Sequence, residues 1–406
     1  MKAVTKKTPQ NPPEWYQGLD WSERPEPKGS EARPVKVKIV SAGICGTDVG
    51  IYQGKDALAN AMAGNKDKDV ILGHEFCARI VEVHDSARIF MAKLLLRRKN
   101  SKKEVVDFIG KRTPEEISKD ENFINILHTH FFVSGEMHFT CGECLQCRIG
   151  DEHVCKEVIG KGLHEDGAFT DYMLLPANRI ILFEDDEIPP QIISFMDALG
   201  NTVHMGQSVD LVGRSVLITG AGVQGLMSTA VVKQMGAANV FVTDVAPKEK
   251  TARTVDKLAV ARKLGADFTF DVGTEEGRAS LQKTIAEETE DTGVDVVFEM
   301  AGAYAAYKTA FDSLRMGGTL VLLGLPAGKM EVDFSKEIVF KGLTIKGIYG
   351  RRVFDTWDLM RFLLAKGLSE TLLSSGIVTH ELPLEKYDEG FQALLKGEAI
   401  KVLLKP

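Results

Sequence analysis

One stretch constrains the fold of this chain more than any other. Val216-Leu-Ile-Thr219 runs into Gly220-Ala-Gly222-Val-Gln-Gly225, and an apolar helical segment, Leu226–Met235, follows. A β-branched run that ends in glycines and opens directly into a helix predicts a strand–turn–helix unit, and Asn239-Val-Phe-Val-Thr243 supplies the next strand. Alone, G-x-G-x-x-G reads equally well as a glycine-rich turn. Between a strand and a helix it permits a tight turn and close backbone approach to a pyrophosphate at the helix N-terminus. Further strands over Asp267–Asp271, Val294–Phe298, Thr319–Leu323 and Leu343–Gly347, mostly separated by helical segments, predict a doubly wound parallel sheet. Asp244 lies 22 residues beyond Gly222, at the end of the second strand. A carboxylate there accepts from a ribose 2′-hydroxyl and repels a 2′-phosphate, which favours NAD over NADP. Lys248, Lys250 and Lys257 follow closely and pull the other way.

At 406 residues there is room for a second domain. Val35–Val40 and Arg79–Val83, short β-branched runs punctuated by glycine, predict a β-rich one. Cys141, Cys144, Cys147 and Cys155 read C-x2-C-x2-C-x7-C. That spacing lets four thiolates converge on one tetrahedral zinc with no position left open, a structural site; two disulfides in a secreted loop are the alternative. Only Cys45 and Cys77 lie elsewhere. Prolines and charges, not an apolar run, follow Met1–Lys7, so no secretory signal is expected. No window approaches 18 uninterrupted apolar residues, so no membrane span is expected either. Clustered cysteines without an export signal suggest a reducing, cytoplasmic setting. With 50 basic and 57 acidic residues, nothing global points to nucleic acid.

Residues 86–130 fit neither domain pattern and predict helices over Ala87–Arg98, Lys102–Gly110 and Pro114–His128. From Arg88 to Arg112 they hold nine basic residues against Glu104 and Asp107. Such a face suits nucleic acid or a membrane, or is simply a solvated surface or subunit contact.

Two further motifs carry metal-ligand types. Gly43-Ile-Cys45-Gly46-Thr47-Asp48 offers a thiolate on a glycine-flanked turn, and Gly73-His74-Glu75 an imidazole beside a carboxylate. Taken singly, Cys45 reads as a buried thiol and His74 as a core histidine. Together they make a mixed site that leaves a zinc position open for water or an alcohol.

These motifs, in this order, resemble the zinc-dependent medium-chain dehydrogenases. Within that family, His138-Phe-Thr-Cys141-Gly, Asp197–His204, Leu323-Gly-Leu-Pro326 and Lys346–Arg351 resemble the L-threonine 3-dehydrogenase branch. The resemblance implies a GroES-like catalytic domain of residues 1–192 and 348–406, interrupted by a Rossmann NAD-binding domain of residues 193–347. It implies catalytic zinc on Cys45, His74 and Glu75, with Asp197 as a further carboxylate, although Ala198 replaces the usual proline. It places Gln224, Asp244, Leu323, Gly324, Leu325, Ile348 and Tyr349 at cofactor-contacting positions, and Lys257 near the adenosine ribose. It also implies a homotetramer.

The implied activity is oxidation of L-threonine to 2-amino-3-oxobutanoate. Thr47 would pass on the hydroxyl proton, or merely cap a turn. The family relay continues to a histidine five residues after the cysteine, where this chain has Gly50. His138 then either substitutes in the relay or orients the cysteine lobe. Arg351 would pair with a substrate carboxylate, or form an interdomain or subunit salt bridge. A polyol or secondary-alcohol dehydrogenase, and a catalytically weak nucleotide-binding zinc protein, stay open as alternatives.

Overall fold

The computed structural model describes residues 1–8, 15–62, 69–98, 101–247 and 251–406; Lys99, Lys248 and Lys250 lie outside them. Strands Ser215–Thr219, Asn239–Asp244, Phe268–Asp271, Val294–Glu299, Leu314–Leu322 and Thr344–Gly347 form one parallel sheet. Numbered along the chain, these six strands run 3-2-1-4-5-6. The direction of winding therefore reverses between Ser215–Thr219 and Val294–Glu299, which opens a ligand crevice at their carboxyl ends. The central strand registers Ile218 against both Val242 and Phe298. All three are fully buried, as expected where helices cover both faces.

A second, mixed sheet centres on Val35–Gly43, which pairs antiparallel with Glu75–Val83, Tyr172–Leu175 and the C-terminal strand Lys401–Lys405. Chain end and chain start thus build one β-rich body, while residues 215–347 supply the other sheet. The buried helix Met196–Gln207 and the helix Asp355–Leu363, which packs against it, flank the join.

The segment before the cysteine lobe holds four helices rather than three: Asp85–Leu96, Lys103–Ile109, Pro114–Lys119 and Phe123–His130. The third starts at a capping box, where Glu116 N donates to Thr113 Oγ1 (3.2 Å) and Thr113 N to Glu116 Oε2 (2.7 Å). It ends at Asp120, whose backbone is extended and whose side chain accepts from Asn122 N at 2.7 Å. Met91, Leu95, Val105, Ile117, Phe123 and Leu127 join the same core as Val37, Ile80 and Val133. Several of the basic side chains hold this packing together. Arg88 Nε donates to Ser118 O (2.5 Å), Arg98 to Leu182 O, and Arg112 pairs with Asp120 at 2.9 Å. Among the described residues no helix is long and apolar enough to cross a membrane.

Candidate active site

Cys45 precedes the short helix Gly46–Tyr52, and Asp48 closes its first turn by accepting from Cys45 N at 2.9 Å. Glu75 opens the strand opposite Gly43. A Cβ at residue 43 would stand 2.4 Å from Glu75 Oε2, so glycine leaves room for the carboxylate. Gly73, at φ +88°, delivers His74 through a left-handed turn that favours glycine. One ligand atom each from Cys45, His74 and Glu75 lies within 4.8 Å of the others.

The environment of these three suits a cation. His74 Nδ1 faces Asp48 Oδ1 at 3.6 Å. Burial opposes protonation of His74, but the negative charges of Asp48 and Cys45 outweigh it and hold the ring well above its usual range. Glu75 Oε2 accepts from Lys401 Nζ at 2.6 Å, while the buried Oε1 makes no hydrogen bond among the described residues. An orphaned carboxylate oxygen beside a thiol and an imidazole is a donor set for zinc. Asp197 is not brought into this group: its Oδ1 lies 2.7 Å from Arg351 Nη2, and the expected fourth ligand is instead one side of an ion pair. Thr47 Oγ1 stands 3.9 Å from Cys45 Sγ, in the first turn of the helix.

Of the two readings of Arg351, a substrate-carboxylate partner or a salt bridge, the structure shows the second. Arg351 is 1% exposed and forms a fork on Glu136, Nε to Oε2 at 3.0 Å and Nη2 to Oε1 at 2.6 Å. Its Nη1 donates to Asp197 O (2.9 Å) and Asn201 Oδ1 (3.3 Å). A guanidinium so enclosed offers no free edge to a substrate carboxylate; the geometry is that of the salt-bridge alternative. His138 Nδ1 also meets Glu136 Oε1, at 2.8 Å, and Trp357 Nε1 donates to Oε2 at 2.9 Å. Sequence reasoning missed Glu136, Asp48 and Lys401. A lone charge in an apolar run was the available signal for Glu136 (Phe131–Met137) and for Lys401 (Ile400–Leu404), because a buried charge needs a partner.

Gly50 is buried, and a Cβ there would lie 2.5 Å from Leu58 Cδ1, so leucine occupies the space a larger residue would need.

The four lobe sulfurs stand 3.5 to 3.9 Å apart along four of their six edges. A tetrahedral Zn–S₄ site has edges of about 3.8 Å, and a disulfide bond about 2.0 Å. All six cysteines are free. Amide groups of Cys144 and Glu157 donate to Cys141 and Cys155 sulfurs at 3.4 Å each, as suits thiolates. These four residues fit zinc.

At the crevice, Gly225 is required by packing, since a Cβ would fall 1.8 Å from Gly220 O. A Cβ on Gly222 would enter open space, the room a pyrophosphate needs. Gln224 Oε1 is buried without a partner among the described residues. A cavity of about 490 Å³ is lined by Gly220, Asp244, Val245, Ala301 and Ala303 among others. Asp244 Oδ2 stands 3.8 Å from Lys257 Nζ. Leu323, Gly324 and Leu325 follow the fifth strand of the sheet, and Leu325 is 94% exposed. Ile348 N donates to Leu322 O at 2.9 Å, and the exposed Tyr349 ring lies 6.1 Å from that of His138. These placements suit a dinucleotide stretched from Asp244 towards His138.

Fold and site together define a zinc-binding alcohol dehydrogenase. The chain matches the family models for the alcohol dehydrogenase GroES-like domain over residues 31–92 and for zinc-binding dehydrogenase over residues 224–365. It is 35% identical, over 100% of its length and 99% of the relative's, to L-threonine 3-dehydrogenase of Shewanella frigidimarina. The chain therefore belongs to the zinc-dependent medium-chain dehydrogenases and is a zinc-dependent alcohol dehydrogenase. Among solved structures it resembles an alcohol dehydrogenase of Thermotoga maritima (TM-score 0.74, 23% identity, 100% of both chains). Galactitol-1-phosphate dehydrogenase of Escherichia coli is similar too (TM-score 0.76, 21% identity, 100% of both chains). At these identities the structures speak for the fold.

Proposed function

We propose that this enzyme oxidises the secondary hydroxyl of L-threonine to give 2-amino-3-oxobutanoate, with NAD as the hydride acceptor. The full-length identity to threonine dehydrogenases carries the reading, and Asp244 at the end of its strand supports NAD over NADP. When bound, zinc on Cys45, His74 and Glu75 supplies Lewis-acid polarisation of the hydroxyl and NAD supplies a hydride acceptor. The chain's own residues do the rest. Asp48 sets a negative charge 3.6 Å from His74 Nδ1, and Lys401 holds one Glu75 oxygen by a hydrogen bond that leaves the other free for the metal. Thr47 Oγ1, 3.9 Å from Cys45 Sγ, would hydrogen-bond the substrate hydroxyl. The second zinc, on the four cysteines, holds the lobe and does no chemistry. The free cysteines support a reducing, cytoplasmic setting, and the family resemblance supports a tetramer.

Two observations favour a second reading, a polyol or other secondary-alcohol dehydrogenase: Gly50 breaks the threonine-branch relay, and Arg351 is enclosed. Initial rates on L-threonine, sorbitol and 2,3-butanediol, each with NAD and with NADP, separate the two. The proposal expects the highest kcat/KM for L-threonine with NAD. A diol or polyol turned over faster than L-threonine selects the second reading.

A further inference from the structure

Glu136 is fully buried and accepts five hydrogen bonds. Arg351 donates through Nε and Nη2, Trp357 through its indole, and His138 through its backbone N (3.1 Å) and Nδ1 (2.8 Å). Arg351 Nη2 also lies 3.1 Å from His138 Nδ1. Nη2 donates to Glu136 Oε1 at 2.6 Å, and Asp197 Oδ1 stands 2.7 Å from it without accepting a hydrogen bond. Oxygen anions are better acceptors for a guanidinium than a ring nitrogen is. Nδ1 is therefore the donor to Glu136, because a lone pair pointed at a carboxylate 2.8 Å away would be repelled.

We propose that Glu136 is a positioning residue that locks His138 as the Nδ1–H tautomer and so makes Nε2 the acceptor of the substrate's hydroxyl proton. This rests on the alcohol-oxidation reading above and fills the gap left by Gly50. Nε2 forms no hydrogen bond among the described residues, and the His138 side chain keeps 25% of its surface exposed, beside Tyr349. In the step, the substrate O–H bond breaks and an Nε2–H bond forms. The electron pair freed on oxygen closes the C=O bond, and the carbinol hydride would pass to NAD when that cofactor is bound. The imidazolium then returns its proton to solvent from Nε2. Glu136 stays ionised throughout, acting through the ring it orients, as second-sphere carboxylates do for histidine.

The test is solid-state ¹⁵N NMR of histidine-labelled, full-length protein at about pH 9, above the usual imidazole range, with His138 assigned by difference against His138→Asn. The wild type is expected to show protonated Nδ1 and unprotonated Nε2 at this residue. Glu136→Gln is expected to add the Nε2–H form and to lower kcat roughly tenfold or more, with KM changed less than about threefold. Glu136→Asp should restore part of both. An Nε2–H tautomer in the wild type overturns the proposal, and that spectrum decides even if Glu136→Gln fails to fold. Unchanged tautomer and kcat in a folded Glu136→Gln overturn it as well. The expected tautomer in a protein that oxidises no alcohol would sink the functional reading instead.

Discussion

Replacing Arg351 by methionine tests whether the buried network acts as one unit. Methionine keeps the apolar stem and removes the guanidinium, which leaves the Glu136 carboxylate with only the His138 and Trp357 donors. Both partners are essentially unexposed, at 1% and 0% of their side-chain surface, so solvent cannot compensate. Breaking a buried pair on one side costs about 3–5 kcal/mol. At about 2–4 °C per kcal/mol for a cooperative unit of roughly 200 residues, calorimetry of the zinc-loaded protein should show Tm lowered by about 6 °C or more. Glu136→Gln should cost less, because Asp197 still faces Arg351. The double variant carries the decisive number. If Glu136 and Arg351 form one unit, its loss falls short of the sum of the single losses by at least about 2 kcal/mol. Losses that add within about 0.5 kcal/mol would mean that the two residues are not coupled.

Two other predictions concern proton transfer and the buried carboxylate. Gly50→His alone must displace Leu58; paired with Leu58→Ala in a His138→Asn background it should restore kcat on L-threonine near neutral pH by roughly tenfold, and an unchanged rate in the folded triple variant contradicts the substitution of His138 for a histidine at residue 50. Burial pushes the Glu136 carboxyl up, but the Arg351 charge and hydrogen bonds from His138 and Arg351 outweigh it, holding the group well below its ordinary 4.5. A depressed folded value contributes stability that is complete above the ordinary value and lost as pH falls through the folded one. Tm measured from about pH 6 to pH 3 should therefore fall more steeply below about 4.5 in the wild type than in Glu136→Gln; parallel curves would contradict this.

The dinucleotide sheet was legible in the sequence because its determinants are local. Each strand is a short apolar run, and Gly220, Gly222 and Gly225 mark one turn by spacing alone. The cysteine lobe was legible for the same reason, four ligands falling within fifteen residues. The Glu136–Arg351 pair was not, because its halves are 215 residues apart and nothing periodic joins them. Lys401 and Glu75 are separated by 326 residues, and only the pairing of the C-terminal strand with Val35–Gly43 brings them together. Arg351 shows the limit of reading a charge by its motif: the segment is recognisable, but burial decides which carboxylate the guanidinium meets. The segment 86–130 yielded its helices, with the break at Asp120 missed, because helical periodicity persists on both sides of that turn.

Reversible metal removal separates zinc-dependent oxidation of L-threonine by NAD from every metal-free alternative. Formation of NADH would be followed on L-threonine before chelation, after chelation, and after Zn²⁺ is returned, with bound zinc counted at each stage. Activity should disappear with the metal and come back with it, with two zinc ions per active chain. NADH formation that survives complete zinc removal, or no NADH from L-threonine in the fully zinc-loaded enzyme, would contradict zinc-dependent oxidation of L-threonine by NAD.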